Sequence, residues 1–230
     1  MAKPVFLITG ASSGIGAATA RQAAASGFRV VLAARRLGEL ESLASELGAP
    51  DNAQAVRCDV TEWADQEAMA AAALAAFGSI DVVFANAGFG ATRGFLASDP
   101  EFWKSMVLTN VYGAALTIRA TLPAITEAKG HILLTSSVAG RRNLPGSLYS
   151  ATKWAVTAMG ENLRQDLNGT GVRVTVIEPG MVDTPFFDNP VSDQQPLVPD
   201  DVARAVMFAV SQPPHVDVNE ILIRPTSQSG

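Results

Sequence analysis

The chain has 230 residues, 48% hydrophobic and 17% charged, which allows a sizeable buried core and excludes a largely disordered chain. A net charge of −5 with scattered Lys and Arg leaves no basic face for nucleic acid or an anionic membrane. The single cysteine, Cys58, cannot form an internal disulfide, and the apolar run Val5–Ile8 is too short for a secretory core or a membrane span, so a cytoplasmic protein without a targeting segment is expected.

Short β-branched runs alternate with longer stretches rich in Ala, Leu, Glu and Gln. Val5–Thr9 predicts a strand and Gly14–Ser26 a helix. Arg29–Ala33 then leads to a helix over Leu37–Leu47, Ala55–Cys58 to Glu62–Phe77, and Val82–Ala85 to Pro100–Glu127. His131–Ser136 precedes a helix over Tyr149–Leu167, Arg173–Glu178 precedes Pro199–Val210, and Glu220–Arg224 closes the series. Asp99-Pro100-Glu101 marks a helix start, with a cap, a proline at the first helical position and an early acid. Strands that are apolar almost throughout are buried on both faces, and helical crossovers between them are right-handed. The expected fold is therefore α/β: a doubly wound, parallel, seven-stranded sheet of Rossmann type with helices on both faces, one domain over residues 1–230. Ligands in such folds bind beyond the carboxyl ends of the strands.

Three patterns fall at those positions. Thr9-Gly10-Ala11-Ser12-Ser13-Gly14-Ile15-Gly16 follows the first strand and opens a helix, the arrangement that lets a backbone turn approach a pyrophosphate at a helix N-terminus. The second strand ends in Ala33-Ala34-Arg35-Arg36, without the acid that would face the ribose hydroxyls of NAD. A ribose phosphate would instead meet the Arg35 guanidinium, which favours NADP. After the fifth strand come Ser136-Ser137 and then Tyr149 with Lys153 four residues on, one helical turn apart. A phenol has an ordinary pKa of about 10, and a neighbouring ammonium is expected to lower it and so assist proton exchange with a carbonyl oxygen. Cys58, His131 and His215 are too few and scattered for a metal site, so none is expected.

With Thr9 to Gly16, Asp59-Val60, Asn86-Ala87-Gly88, Asn110, Ser136-Ser137, Tyr149 to Lys153 and Pro179-Gly180-Met181-Val182-Asp183-Thr184 in order, the chain resembles the classical short-chain dehydrogenase/reductases from Val5 to Arg224. The resemblance implies NADP(H)-dependent, reversible hydride transfer between the cofactor and a small ketone, aldehyde or secondary alcohol. It assigns Tyr149 as acid or base, Lys153 as its partner and a ribose ligand, Ser137 as ligand of the reacting oxygen, and Asn110 as holder of a water that links Lys153 to solvent. Cofactor contacts would come from Gly10, Ser12, Ser13, Gly14, Ile15 and Gly16 in the loop, and from Arg35 and Arg36. Asp59 would bind the adenine amino group, with Val60 beside it, and Asn86, Ala87 and Gly88 would line the adenine ribose. Tyr149, Lys153, Pro179, Gly180, Val182 and Thr184 would complete the set, Thr184 holding the carboxamide. The long helices at 100–127 and 149–167 resemble those that pair between subunits, which implies a homotetramer or a homodimer.

Two choices stay open at this point. Ser137 lies 12 residues before Tyr149 and Ser136 lies 13 before it, the commoner family spacing, yet the local Ser-Ser-Val-Ala-Gly match favours Ser137. Residues 185–198 are expected to cover the substrate, with Phe186 and Phe187 as an apolar wall. A carboxylate-bearing substrate such as a 3-hydroxy acid is expected if Arg93, Arg141 or Arg142 points inward. The alternative to an enzyme is a catalytically silent dinucleotide-binding regulator, disfavoured because Tyr149 and Lys153 are both present.

Overall fold

A computed structural model describes residues 3–90, 92–184 and 195–228. Seven parallel strands form one sheet in the order β3-β2-β1-β4-β5-β6-β7. They are β1 (Val5–Thr9), β2 (Arg29–Ala34), β3 (Ala53–Arg57), β4 (Val82–Ala85), β5 (His131–Thr135), β6 (Arg173–Pro179) and β7 (Glu220–Ile223). Among the described residues seven α-helices cover it: α1 (Gly14–Ala25), α2 (Leu37–Glu46), α3 (Trp63–Phe77), α4 (Pro100–Val107), α5 (Ala114–Ala128), α6 (Leu148–Asp166) and α7 (Pro199–Val210).

Side chains alternate along each strand, and the central strands are buried on both faces. In β1, Val5 and Leu7 join a core with Met69 of α3, Ile118 of α5 and Val156 of α6. Phe6 and Ile8 join the opposite core with Ala20 of α1, Leu40 of α2 and Val206 of α7. This two-sided burial makes the strands nearly all apolar and fixes the helices as two layers. The chain winds outward from β1 to β3 and then returns to β4, so crossovers diverge between β1 and β4. A crevice opens at their carboxyl ends.

The expected helix over 100–127 is not one α-helix. A π-helical turn, Leu108–Gly113, separates α4 from α5. Wide turns of this kind are frequent at functional sites. β3 begins at Ala53 rather than Ala55, because its pairing with β2 starts at Val30 opposite Ala53 and includes the polar Gln54.

His131, fully buried at the start of β5, ties that strand to β6 and to the segment just before β7. Thr175 donates its hydroxyl to Val218 O (2.6 Å), so the His131 Nε2–H donates to that hydroxyl (2.7 Å), while Nδ1 has no hydrogen-bond partner. Burial, with Arg173 adding repulsion, pushes the imidazole from its ordinary 6.5 down to about 3. Between those values the unfolded chain takes up a proton that the folded one refuses. Stability from this residue is therefore complete above pH 6.5 and is lost as pH falls towards 3, by up to about 1.4 kcal/mol per pH unit. Urea midpoints at pH 7 and pH 4.5 are expected to differ less for His131→Asn than for the wild type. Equal losses would place the acid sensitivity elsewhere.

Candidate active site

Ser137 leaves the end of β5 and caps a short 3-10 turn, Val138–Gly140, accepting from Ala139 N (3.1 Å). Its hydroxyl donates to Pro179 O at the end of β6 (3.2 Å) and is hydrogen-bonded to the Tyr149 phenol. Ser136 faces the other way. Its hydroxyl is buried against Lys153 O (2.9 Å) and Thr157 Oγ1 (2.8 Å), so only Ser137 reaches the tyrosine. Strand alternation at the exit of β5 separates the two neighbours.

α6 carries Tyr149 in its first turn, with Ser147 at its N-terminus accepting from Ser150 N (3.1 Å). Lys153 follows one turn later and is 3% exposed. Its Nζ lies 5.6 Å from the centre of the Tyr149 ring and donates to Thr135 O (2.8 Å). Burial pushes this ammonium down to about 8. Burial likewise pushes the phenol up to about 12, against the opposing hydrogen bond with Ser137. The lowered phenol pKa expected from the Tyr-Lys spacing is thus not what this geometry produces: desolvation of the phenolate dominates, and the ammonium is directed at a carbonyl.

Asn110 sits in the π turn, 2% exposed. Its amide donates to Phe89 O (2.9 Å) and Thr152 Oγ1 (3.1 Å) and accepts from Phe89 N (3.0 Å), which pins the Asn86–Gly88 turn to α6. Thr152 in turn donates to Tyr149 O (2.7 Å). A second chain crosses the strand ends. Thr135 donates to Asn86 Oδ1 (3.0 Å), Asn86 Nδ2 donates to Thr9 O (3.1 Å), and Thr9 Oγ1 accepts from Asn86 N (3.0 Å) and Ala87 N (3.2 Å). The tyrosine-lysine helix and the glycine loop are held in one frame.

That loop suits a dinucleotide phosphate. Ser13 precedes α1 without capping it through its side chain, and the first turn carries no acid, so the N-terminal N–H groups and the helix dipole favour an anion. Arg36 donates to the hydroxyls of Ser12 (3.0 Å) and Ser13 (3.0 Å). Arg35 is near enough to Asp59 to help hold its carboxyl below the usual range; burial opposes this, and two hydrogen bonds from Thr61 assist it. Thr184 lies over Gly14, where an added Cβ would meet its methyl at 3.2 Å. This joins the Pro179–Thr184 segment to the loop. A phosphate-bearing cofactor and a proton-exchanging hydroxyl pair fit the same crevice.

The family model described as short chain dehydrogenase matches residues 4–195. The chain belongs to this family. An uncharacterized oxidoreductase of Staphylococcus haemolyticus is 38% identical over 96% of each chain. Among solved structures, an alcohol dehydrogenase from Thermococcus sibiricus complexed with 5-hydroxy-NADP aligns with a TM-score of 0.92 at 32% identity, covering 99% of each chain. Serine dehydrogenase from Escherichia coli aligns with a TM-score of 0.88 at 36% identity, covering 98% of this chain and 100% of that one. Solved relatives include complexes with NADP and with NAD.

In this short-chain dehydrogenase/reductase, several expected site residues take different places. Val182 is 5% exposed and forms an isolated bridge with Leu197, so its side chain belongs to the core and any contact with a cofactor would come from its backbone. Ile15 also packs against that core. Val60 is buried, and a Cβ on Gly113 of the π turn would lie 2.7 Å from its methyl. Arg141 does not point at a substrate: its Nε donates to Glu178 Oε1 (2.6 Å) and its terminal nitrogen pairs with Glu220. Arg93 and Arg142 are exposed. Phe186 and Phe187 lie outside the described residues. Sequence patterns missed Thr135, Thr152 and Phe89, and also Gln228, which accepts from Met181 N (3.0 Å) behind the Pro179-Gly180 turn. Only Thr152 carried a signal, its place beside Lys153.

Proposed function

We propose that this oxidoreductase uses NADP(H) to interconvert a small ketone or aldehyde and the corresponding alcohol. The carrying observation is the hydroxyl pair of Ser137 and Tyr149, with Lys153 over the tyrosine ring at the mouth of the glycine-loop crevice. The nicotinamide cofactor supplies or accepts the hydride. Ser137 binds the reacting oxygen, and Tyr149 gives it a proton in reduction and takes one in oxidation. A phenol pushed up to about 12 is protonated near neutral pH, the state that reduction needs. Because the Asn110 side chain is committed to Phe89 and Thr152, a water feeding Lys153 would be held by the backbone of the π turn.

Arg35 and Arg36, with no acid at the end of β2, support NADP over NAD. NADPH is expected to bind at least about tenfold tighter than NADH, and Arg35→Ala to remove most of that difference, about 1.4 kcal/mol, in fluorescence titrations. Equal wild-type affinities would refute the preference. Because relatives include a serine dehydrogenase and an alcohol dehydrogenase, the deciding assay follows NADPH and NADP turnover with 3-hydroxy acids, serine-like amino acids, diketones and aromatic aldehydes. Binding without turnover across the panel would overturn the enzymatic reading. Leu108 and Tyr112 of the π turn and Trp154 of α6 are exposed and support pairing of these helices between subunits, as a homotetramer or homodimer. Cys58, whose thiol burial pushes up to about 12, is free and suits a cytoplasmic protein, and no described helix is long and apolar enough to cross a membrane.

A further inference from the structure

Glu178, the residue before Pro179, is 1% exposed, and its hydrogen bonds come from Arg141 and Thr157. Its Oε1 accepts from Arg141 Nε at 2.6 Å and from Thr157 Oγ1 at 3.3 Å. Thr157 lies one turn beyond Lys153 on α6, and its hydroxyl is 2.8 Å from Ser136 Oγ, which also reaches Lys153 O at 2.9 Å. Arg141 follows directly on the 3-10 turn that Ser137 caps. One buried carboxylate therefore gathers the serine loop, the lysine helix and the end of β6. On its chain-next residue, Pro179, the carbonyl receives the Ser137 hydroxyl.

Packing at this junction is tight. A Cβ on Gly140 would lie 2.4 Å from Ser136 Oγ and 2.8 Å from both Lys153 O and Thr157 Oγ1. The loop thus docks on α6 through backbone, with no room for a side chain to take up slack. Among these contacts the bond from Arg141 to Glu178 joins two ionised groups and is the shortest, which makes it the strongest link. A second carboxylate, Glu220, holds the outer side of the same guanidinium.

We propose that Glu178 and Arg141 are positioning residues: their ion pair, buried on the carboxylate side, sets the distance between Ser137 and the Tyr149–Lys153 helix. The inference rests on the reading of Ser137, Tyr149 and Lys153 as the reacting groups. The pair acts on geometry at the reacting oxygen, and it lies away from the glycine loop, so its loss separates turnover from cofactor binding.

Glu178→Gln keeps the shape and removes the charge; Arg141→Met keeps much of the stem and removes the partner. Each single variant is expected to lower kcat for a carbonyl substrate by about 10- to 100-fold while leaving the NADPH dissociation constant within about twofold. The double variant is expected to be no worse than the poorer single one, since both remove the same bond. Tyr149→Phe is assayed beside them. Loss of turnover in Tyr149→Phe with full kcat in folded Glu178→Gln overturns the positioning role alone. So do multiplicative losses in the double variant, or a fall in NADPH affinity that matches the fall in kcat. Retained turnover in Tyr149→Phe overturns the reading of the site, and the positioning role with it.

Discussion

Tyr149→Phe is expected to reduce kcat by about a thousandfold, with NADPH affinity unchanged within about twofold. The ring stays, so the contact with the Lys153 ammonium at 5.6 Å stays; what goes is the one hydroxyl that meets Ser137. The wild-type pH profile for reduction follows from the same groups. With the phenol pushed up to about 12, its proton is retained through the neutral range, while Lys153, pushed down to about 8, loses its charge first. Reduction is therefore expected to hold below pH 8 and to decline as pH rises through it. Steady-state rates from pH 6 to 10 test this, and a phenylalanine variant with wild-type turnover would end the mechanism.

Gly16→Ala is the second large effect expected. A Cβ there would sit 2.4 Å from Gly10 O and 2.9 Å from Asn86 Nδ2. The nearest atom is backbone in a turn already fixed by the link from Asn86 to Thr9, so it cannot yield cheaply. Overpacking of this kind costs about 1–3 kcal/mol, and the shift falls on the loop that faces the cofactor phosphate. Dye-monitored melting is expected to fall by several degrees and NADPH affinity by about tenfold or more. Gly38→Ala is the control: it lies in α2, where an added Cβ meets nothing within 4 Å, and helix propensity favours alanine. A Gly16→Ala protein that melts and binds like the Gly38→Ala protein would show that the loop has slack the packing denies.

Sequence patterns carried the sheet well, because two-sided burial writes itself into the strands as continuous apolar runs. They failed where local pattern and structure part company. Propensity reads Pro100–Glu127 as unbroken helix, since residues of a π turn are as helix-compatible as any others; only the Asn110 contacts mark the break. Ser136 and Ser137 cannot be ranked by counting back from Tyr149. Facing decides them, and facing depends on how the chain leaves β5. Arg141 stood open as a substrate ligand because its partner Glu178 is 37 residues away, on β6. The Tyr149–Lys153 spacing correctly placed two groups on one helix face, but spacing holds no account of desolvation, which sets both of their pKa directions here.

The π turn at Leu108–Gly113 has a consequence for how this chain can vary. An α-helix rotates about 100° per residue, and the wide turn absorbs one residue beyond a regular α turn. Deleting a single residue within it would take out that extra residue and rewind the segment into continuous helix, keeping α4 and α5 nearly in phase but re-aiming the side chains of the turn itself. Asn110 would then leave Phe89 and Thr152 together, and the Asn86–Gly88 turn would lose its tether to α6. Length in this stretch is therefore constrained as well as residue type: a frame-preserving deletion of one codon leaves the flanking helices in place but removes all three Asn110 contacts at once.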